Sequence, residues 1–258
     1  MLLHPAATGA WNMAVDEALL LSHTPSAPPT VRFYDWQPSC LSLGRFQRLN
    51  ETIHSALRTP HSALDIVRRP TGGRAVLHQY EVTYSVVIHK EQLPPESRSV
   101  LGSYRWLSNG WVEGLQQLTV QAELSKANVG LHSGTANCFS STAQCDFLVA
   151  GKKLIGAAQC RQRGAILQHG SLLVDLDRAL WESLVGGSMH DTVTLKSLGI
   201  AATREDIIRA LCAGLERTAQ MQLERGEMTA DESTVAHRLH SDKYTQSSWT
   251  EHGDKHQN

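Results

Sequence analysis

The chain is predicted to fold as an α+β protein with a mixed, largely antiparallel sheet flanked by helices. Three observations carry this prediction. Tyr80 to His89 (YEVTYSVVIH) is dense in the Val, Ile, Thr and Tyr that suit a pleated strand. From Ser99 to Leu118 the period changes: Val100, Tyr104, Leu107, Trp111 and Leu115 recur at threes and fours, as on one face of a helix. Strand patterns then return between 145 and 173, and capping signals follow. The order strands, helix, strands, helices fits a sheet packed on by helices.

Element by element, Asn12 is placed to cap a first helix over Met13 to Leu21, stopped by the Pro-rich SAPPT stretch. Thr30 to Asp35 (TVRFYD) alternates as a strand, and Cys40 to Leu43 (CLSL) forms a second that ends at Gly44. A short helix is expected between Leu49 and Pro60, then a third strand in ALDIVRR. After the long helix and a polar connection, strands are expected over Cys145 to Val149, Lys153 to Cys160 and Ala165 to Leu173. Ala150-Gly151 makes the tight turn between the first two. Asp177 opens a short helix through Leu184. Thr203 with Asp206, and Thr229 with Glu232, are capping boxes that place helices over 204–223 and 230–240. One domain over 1–246 is expected, with 247–258 a flexible hydrophilic tail.

Composition excludes several classes. The 24 basic and 25 acidic side chains nearly cancel, so no bulk field points to nucleic acid. Arg32, Arg45, Arg48, Arg68, Arg69 and Arg74 nevertheless crowd the first third and could build a local positive surface. Five cysteines without a close pair fit neither a disulfide framework nor a zinc ribbon. Neither a basic leader nor an apolar run of membrane-spanning length is present, so a reducing cytoplasm without membrane attachment is expected.

The chemistry-bearing residues lie in two tracts. In RRPTGGRAVLH, Gly72 and Gly73 allow close backbone approach, and Arg69, Thr71, Arg74 and His78 flank them with polar groups. Such a loop either holds a ligand's polar end or is a glycine turn with solvated arginines. The second tract runs from Cys138 through GKKLIGAAQ to LQHGS. Cys138 sits in the turn-like segment NCFSST, as a nucleophile or as a small buried side chain. Cys145, Cys160 and Cys212 suit burial, while Cys40 fits either role. Strand alternation turns one of Lys152 and Lys153 inward, and an inward ammonium needs a partner, which a ligand's carbonyl oxygen could supply. Gly156, Ala157 and Ala158 offer a floor of small side chains. Among thirteen histidines no metal-binding spacing occurs; His78 and His169 are the two that stand in these tracts.

Together with WNMAVDEALL and VRFYDWQPSCLSLGRFQ, the tracts RRPTGGRAVLHQYEVTYSV and GKKLIGAAQCRQRGAILQHGSLLVDLD resemble the lipoate protein ligase and octanoyltransferase family, relatives of the biotin protein ligases. The closest likeness is to the cysteine-dependent octanoyltransferases on a lipoate-ligase-like scaffold. The resemblance implies the biotin/lipoate protein ligase-like fold, of the class II aminoacyl-tRNA synthetase/biotin synthetase-like kind. It also implies an acyl pocket lined by Arg69, Thr71, Gly72, Gly73, Arg74, His78, Gly156 and Ala157, an active lysine at Lys153 and a thiol at Cys138.

The reaction so implied is transfer of octanoyl from octanoyl-acyl carrier protein to a lysine of lipoyl domains of 2-oxoacid dehydrogenases or of glycine cleavage H protein. It would pass through a thioester on Cys138, with Lys153 at the oxyanion and no cofactor, ATP or metal. Other readings are an octanoyl amidotransferase between lipoyl-bearing proteins, an ATP-dependent lipoate-protein ligase, and a non-catalytic acyl- or protein-binding module.

Overall fold

The structure, a computed structural model, describes residues 1–49, 51–58, 64–126, 145–186 and 188–253. Its first third runs β1 (Leu2–Leu3), α1 (Gly9–Ser22), β2 (Thr30–Tyr34), β3 (Ser39–Leu43), α2 (Glu51–Arg58), β4 (Leu64–Arg68), β5 (Val76–His78) and β6 (Glu81–His89). The middle holds α3 (Val100–Gln117), β7 (Glu123–Leu124), β8 (Phe147–Val149), β9 (Lys152–Gln162) and β10 (Ala165–Leu173). Four helices close the chain: α4 (Arg178–Val185), α5 (Arg204–Ala219), α6 (Ala230–Leu239) and α7 (Ser247–His252).

The strands do not all join one sheet. Seven form a sheet in the order β1-β2-β6-β10-β9-β8-β7, antiparallel except for the β1/β2 pair. The other three make a small sheet, β4-β3-β5, in which β3 and β4 run parallel. Two-residue turns join β8 to β9 and β9 to β10. In each turn both residues, Ala150-Gly151 and Arg163-Gly164, have positive φ, matching the twist of a tight hairpin.

Strand alternation divides the large sheet's two faces. Val82, Tyr84, Val86 and Ile88 of β6, with Ile155, Ile166 and Leu172, pack beneath Trp111 and Leu115 of α3 and Leu211 of α5. Helices α3 and α5 cross almost backbone to backbone: a Cβ on Gly214 would lie 2.2 Å from the Gly114 nitrogen. The opposite face of β6 and β10 meets α1, where Val87, Ala165 and Leu167 pack on Val15, Ala18 and Leu19. This second face turns polar toward one end, and the small sheet covers it there.

Three expectations are corrected. The cap of α1 is Thr8, whose side chain accepts from the Trp11 N–H; Asn12 lies within the helix, buried, and its side-chain N–H donates to the Asp35 carbonyl. The α5 helix stops at Ala219 rather than 223 because Gln220 turns left-handed (φ 52°). Residues 247–252 are not a loose tail but α7, because an indole embedded in the sequence SSWTEH finds a site. Trp249 is buried and donates its indole N–H to the Arg68 carbonyl at 2.8 Å, while the buried Arg68 guanidinium donates to the carbonyls of Trp249, Thr250 and Glu251.

Candidate active site

A cavity of about 370 Å³, counting its mouth, lies between the two sheets. Its floor is the polar face of the large sheet, with Thr83 of β6, His169 and Ser171 of β10, and Gly156 and Ala158 of β9. Cross-strand register puts Gly156 beside Ser171 and Ala158 beside His169, so the missing and short side chains of β9 open space next to two polar groups. Ser42, Val76 and His78 of the small sheet, with Arg69, form the roof; Met13, Tyr34 and Trp36 close one side.

Arg69 organises the roof. It is buried, and its N–H groups are spent on the Thr71 hydroxyl (3.1 Å), the carbonyl and hydroxyl of Ser42 (3.1 and 3.2 Å), and the carbonyls of Gly72 and Arg74 (both 2.8 Å). The turn curls around its own arginine, which explains one glycine. Gly73 has φ 92°, and a Cβ there would meet Arg69 Nη2 at 2.8 Å; a Cβ on Gly72 would meet nothing within 4 Å.

Two carboxylate–histidine–hydroxyl chains converge on Arg69. In one, Asp16 Oδ2 lies 3.0 Å from His169 Nδ1, and His169 Nε2 lies 2.7 Å from Thr71 Oγ1. In the other, Glu81 Oε1 lies 2.5 Å from His78 Nδ1, and His78 Nε2 lies 2.8 Å from Ser42 Oγ. Each Nδ1 faces a carboxylate, which can only accept, so each imidazole donates from Nδ1; a hydroxyl oxygen that takes an Arg69 N–H keeps a second lone pair and can still accept from Nε2 or donate to it. His78 also stacks on the Trp36 indole, with centroids 4.0 Å apart and planes at 13°.

The two carboxylates differ in their surroundings. Asp16 accepts from Arg32 (2.7 Å), Ser85 (2.8 Å) and Tyr34 (2.9 Å) in addition to His169. Burial alone would raise its pKa, but Arg32 and the hydrogen bonds from His169 and Ser85 outweigh it and hold the carboxyl below its ordinary value. Burial lowers the His169 pKa, against the opposing pull of Asp16, in keeping with a neutral ring. Among the described residues, Glu81 has no such cation. Its Oε1 accepts from His78, Thr83 and, at 3.0 Å, Ser171, while Oε2 is buried without a hydrogen-bond partner.

Of the residues expected at an acyl pocket, Arg69, His78, Gly156 and Ala157 line this cavity, and Thr71 stands just behind it on His169. Gly72, Gly73 and Arg74 do not line it; they form the outer end of the turn. Lys153 is the inward member of its pair and Lys152 the exposed one, as strand alternation requires. The partner of Lys153 is a protein group: its ammonium lies 2.8 Å from Asp146 Oδ2, both side chains being buried. Lys153 does not line the cavity. Cys138 lies outside the described residues. The expected positive surface is also reduced, because Arg32, Arg68 and Arg69 are buried. The Asp16 and Glu81 carboxylates escaped sequence reasoning; for Glu81 the available signal was its place three residues after His78.

The four described cysteines share one electrostatic state. Burial raises the thiol pKa of Cys40, Cys145, Cys160 (to about 12) and Cys212 (to about 11), so all four stay protonated at neutral pH.

The fold and the cavity define a class: an α+β protein with a cavity between two sheets, lined by two histidines and small strand residues. The chain belongs to the family of lipoyl protein ligase A/B catalytic domains, whose family model matches residues 8–216. It is 41% identical to Octanoyltransferase LipM of Kyrpidia tusciae, over 96% of this chain and 97% of that protein. It is 38% identical to Octanoyltransferase LipM of Geobacillus kaustophilus, over 93% of each. A solved chain from the lipoylation system of Thermoplasma acidophilum, a bi-partite lipoate protein ligase with its E2 lipoyl domain, shares the fold. Its TM-score is 0.77 at 22% identity, over 97% of this chain and 94% of that one. Among the described residues, no helix is long and apolar enough to cross a membrane.

Proposed function

We propose that this chain is an octanoyltransferase that moves octanoyl from octanoyl-acyl carrier protein to a lysine of lipoyl domains or glycine cleavage H protein, in protein lipoylation. The observation that carries the reading is near full-length similarity to octanoyltransferases, 41% over 96% of the chain for that of Kyrpidia tusciae. The short side chains of Gly156 and Ala158 on the cavity floor leave room beside the sheet for an acyl chain, which gains about 0.8 kcal/mol per buried methylene. We assign residues 1–253, α7 included, to one catalytic domain and the enzyme to the cytoplasm.

In this reading Cys138 is the nucleophile. Its thiolate attacks the donor carbonyl, the carrier thiol leaves, and the octanoyl group is held as a thioester; the acceptor amine then attacks and frees the thiolate. The raised thiol pKa values of Cys40, Cys145, Cys160 and Cys212 argue against those four as alternatives. Lys153, held by Asp146, supplies positive charge for the oxyanion. A donor that is already a thioester needs no ATP for activation.

The test is intact mass after incubation with octanoyl-acyl carrier protein. One octanoyl group should appear on the enzyme, map to Cys138, and disappear when an apo lipoyl domain is added, all without ATP. C138A should carry no label, and C138S should lose most of the rate. Labelling elsewhere, full transfer by C138A, or pyrophosphate exchange that depends on free octanoate or lipoate would overturn the reading.

A further inference from the structure

We propose that the C-terminal segment is a clasp that sets the gape of the cavity, with Lys243, Trp249 and Arg68 as positioning residues that determine acyl selectivity. The inference rests on the reading given above for the identity of the ligand; the clasp itself is read from packing.

The cavity lies between two sheets, so its width depends on what fixes one layer against the other. One tie stands at the start of α1, where the Gly9 N–H donates to Asp65 Oδ2 of β4 at 2.6 Å. That tie alone is a pivot, and the C-terminal segment supplies a second. After α6 a π-helical turn, His240–Tyr244, presents two consecutive side chains to α1. Lys243 Nζ donates to both oxygens of Glu17, at 2.8 and 2.7 Å, and the Tyr244 hydroxyl donates to Glu17 Oε2 at 2.7 Å. Glu17 lies about 12 Å along the helix from Gly9, at 1.5 Å per residue. Its neighbours on α1 belong to the cavity: Asp16 holds His169, and Met13, one turn earlier, lines the wall.

The other end of the clasp grips the roof. Lys243 Nζ also lies 4.0 Å from the centre of the Trp249 ring, a cation on a π face, and Trp249 donates to the Arg68 carbonyl of β4. The Arg68 guanidinium takes the carbonyls of α7 on one side and, on the other, those of Gly44 (2.7 Å) and Gln47 (2.8 Å) in the turn after β3. That turn is locked to the loop of Arg69. The Arg45 N–H donates to the Thr71 carbonyl at 2.8 Å and the Arg69 N–H to the Leu43 carbonyl at 3.0 Å. A Cβ on Gly44 would lie 1.9 Å from the Gly73 carbonyl oxygen. The path from α1 to the roof is packed as well as hydrogen-bonded, since Met13, Tyr34, Val67, Tyr244 and Trp249 share one buried apolar cluster.

A cavity held at fixed gape admits a straight chain and rejects a branched one, because its walls cannot yield. Loosening the clasp relaxes that discrimination without removing any group that lines the cavity.

The experiment compares W249A with L215A. Leu215 of α5 is buried on the opposite face of the large sheet, so its truncation destabilises the fold away from the roof. Transfer to an apo lipoyl domain is measured from octanoyl-acyl carrier protein and from its methyl-branched octanoyl counterpart. The ratio of the two kcat/KM values cancels the fraction of folded enzyme. In W249A the preference for the straight chain should fall by roughly tenfold, the lower end of what one methylene contributes to discrimination in a closed pocket. L215A should keep the wild-type preference. Amide hydrogen exchange gives a readout free of any substrate: in W249A the roof amides of Arg45 and Arg69 should exchange roughly tenfold faster relative to those of β10, and in L215A they should not. A wild-type preference in W249A, an equal loss in L215A, or roof and floor amides that speed up together would overturn the proposal. Should W249A fail to fold, W249L, which refills the site but removes the indole N–H and the π face, decides by the same two ratios. If the wild-type enzyme transfers neither acyl group, the octanoyltransferase reading falls and the exchange comparison alone decides the clasp.

Discussion

The substitution D16N isolates the charge of Asp16 at nearly constant shape. Each carboxylate oxygen receives two donors: Arg32 and Ser85 on Oδ1, Tyr34 and His169 on Oδ2. Whichever way an asparagine turns, its NH2 faces two N–H or O–H groups, and the fully buried Arg32 loses its counter-ion. Removing one partner of a buried pair costs about 3–5 kcal/mol, a large share of the roughly 5–15 kcal/mol that holds a domain folded. His169 can relieve one clash by changing tautomer, but Nε2 then carries a proton toward Thr71, whose hydroxyl proton loses its acceptor. Urea unfolding with matched m-values reads the cost. R32M added to D16N removes the stranded charge, so the double variant should lose less than D16N alone. The acid limb gives an independent check. The folded-state pKa of Asp16 is depressed, so its contribution is present above the unfolded value of roughly 3.9 and is lost as pH falls through the folded value. D16N should therefore show a flatter loss of stability below about pH 4. A D16N penalty within about 1 kcal/mol, or a double variant worse than the single, would refute the account.

Three further outcomes are expected. K152A should leave stability and activity near wild type, since that side chain is exposed, whereas K153A removes one member of the buried ion pair with Asp146 and should cost about 3–5 kcal/mol; equal effects would contradict the strand phase. Burial, and then the Arg32 charge, lower the pKa of His4 to about 4, so its ring protons should titrate there by NMR rather than near 6.5. The unfolded chain binds more protons across that window, so this site's contribution to stability should rise with pH between those two values. W249A should lose about 3–5 kcal/mol from cavity formation, and little change on denaturation would return α7 to the status of a loose tail.

Much of the fold was legible because its signals are local. The β10 strand runs over Ala165–Leu173, as its pattern predicts, and α3 falls within one residue of its expected span at each end. Both capping boxes form, as Ser/Thr-x-x-acid spacing requires. Ala150-Gly151 turns where a two-residue hairpin must. The division of the strands between two sheets was not legible, because short strands such as β5 carry no information about which neighbour they will choose. The same limit applies to α7: SSWTEH reads as a polar tail until Arg68, 181 residues earlier, supplies the acceptor for its indole.

The site divides along that line. Its apolar part, Gly156 and Ala158, follows from strand alternation, which sends every second residue of β9 to one face. Its polar part does not. Asp16 sits in MAVDEALL, where a helix acid is ordinarily solvated; its partners Arg32, Ser85 and His169 stand 16, 69 and 153 residues away. Glu81 is close to His78 in sequence, but its surroundings come from Ser171, 90 residues on, and, among the described residues, no Arg or Lys pairs with it. Adjacency in sequence showed that the histidine and the acid could meet. Only the packed sheets distinguish a carboxylate balanced by a buried arginine, Asp16 on Arg32, from one whose ionic partner among the described residues is a histidine, Glu81 on His78.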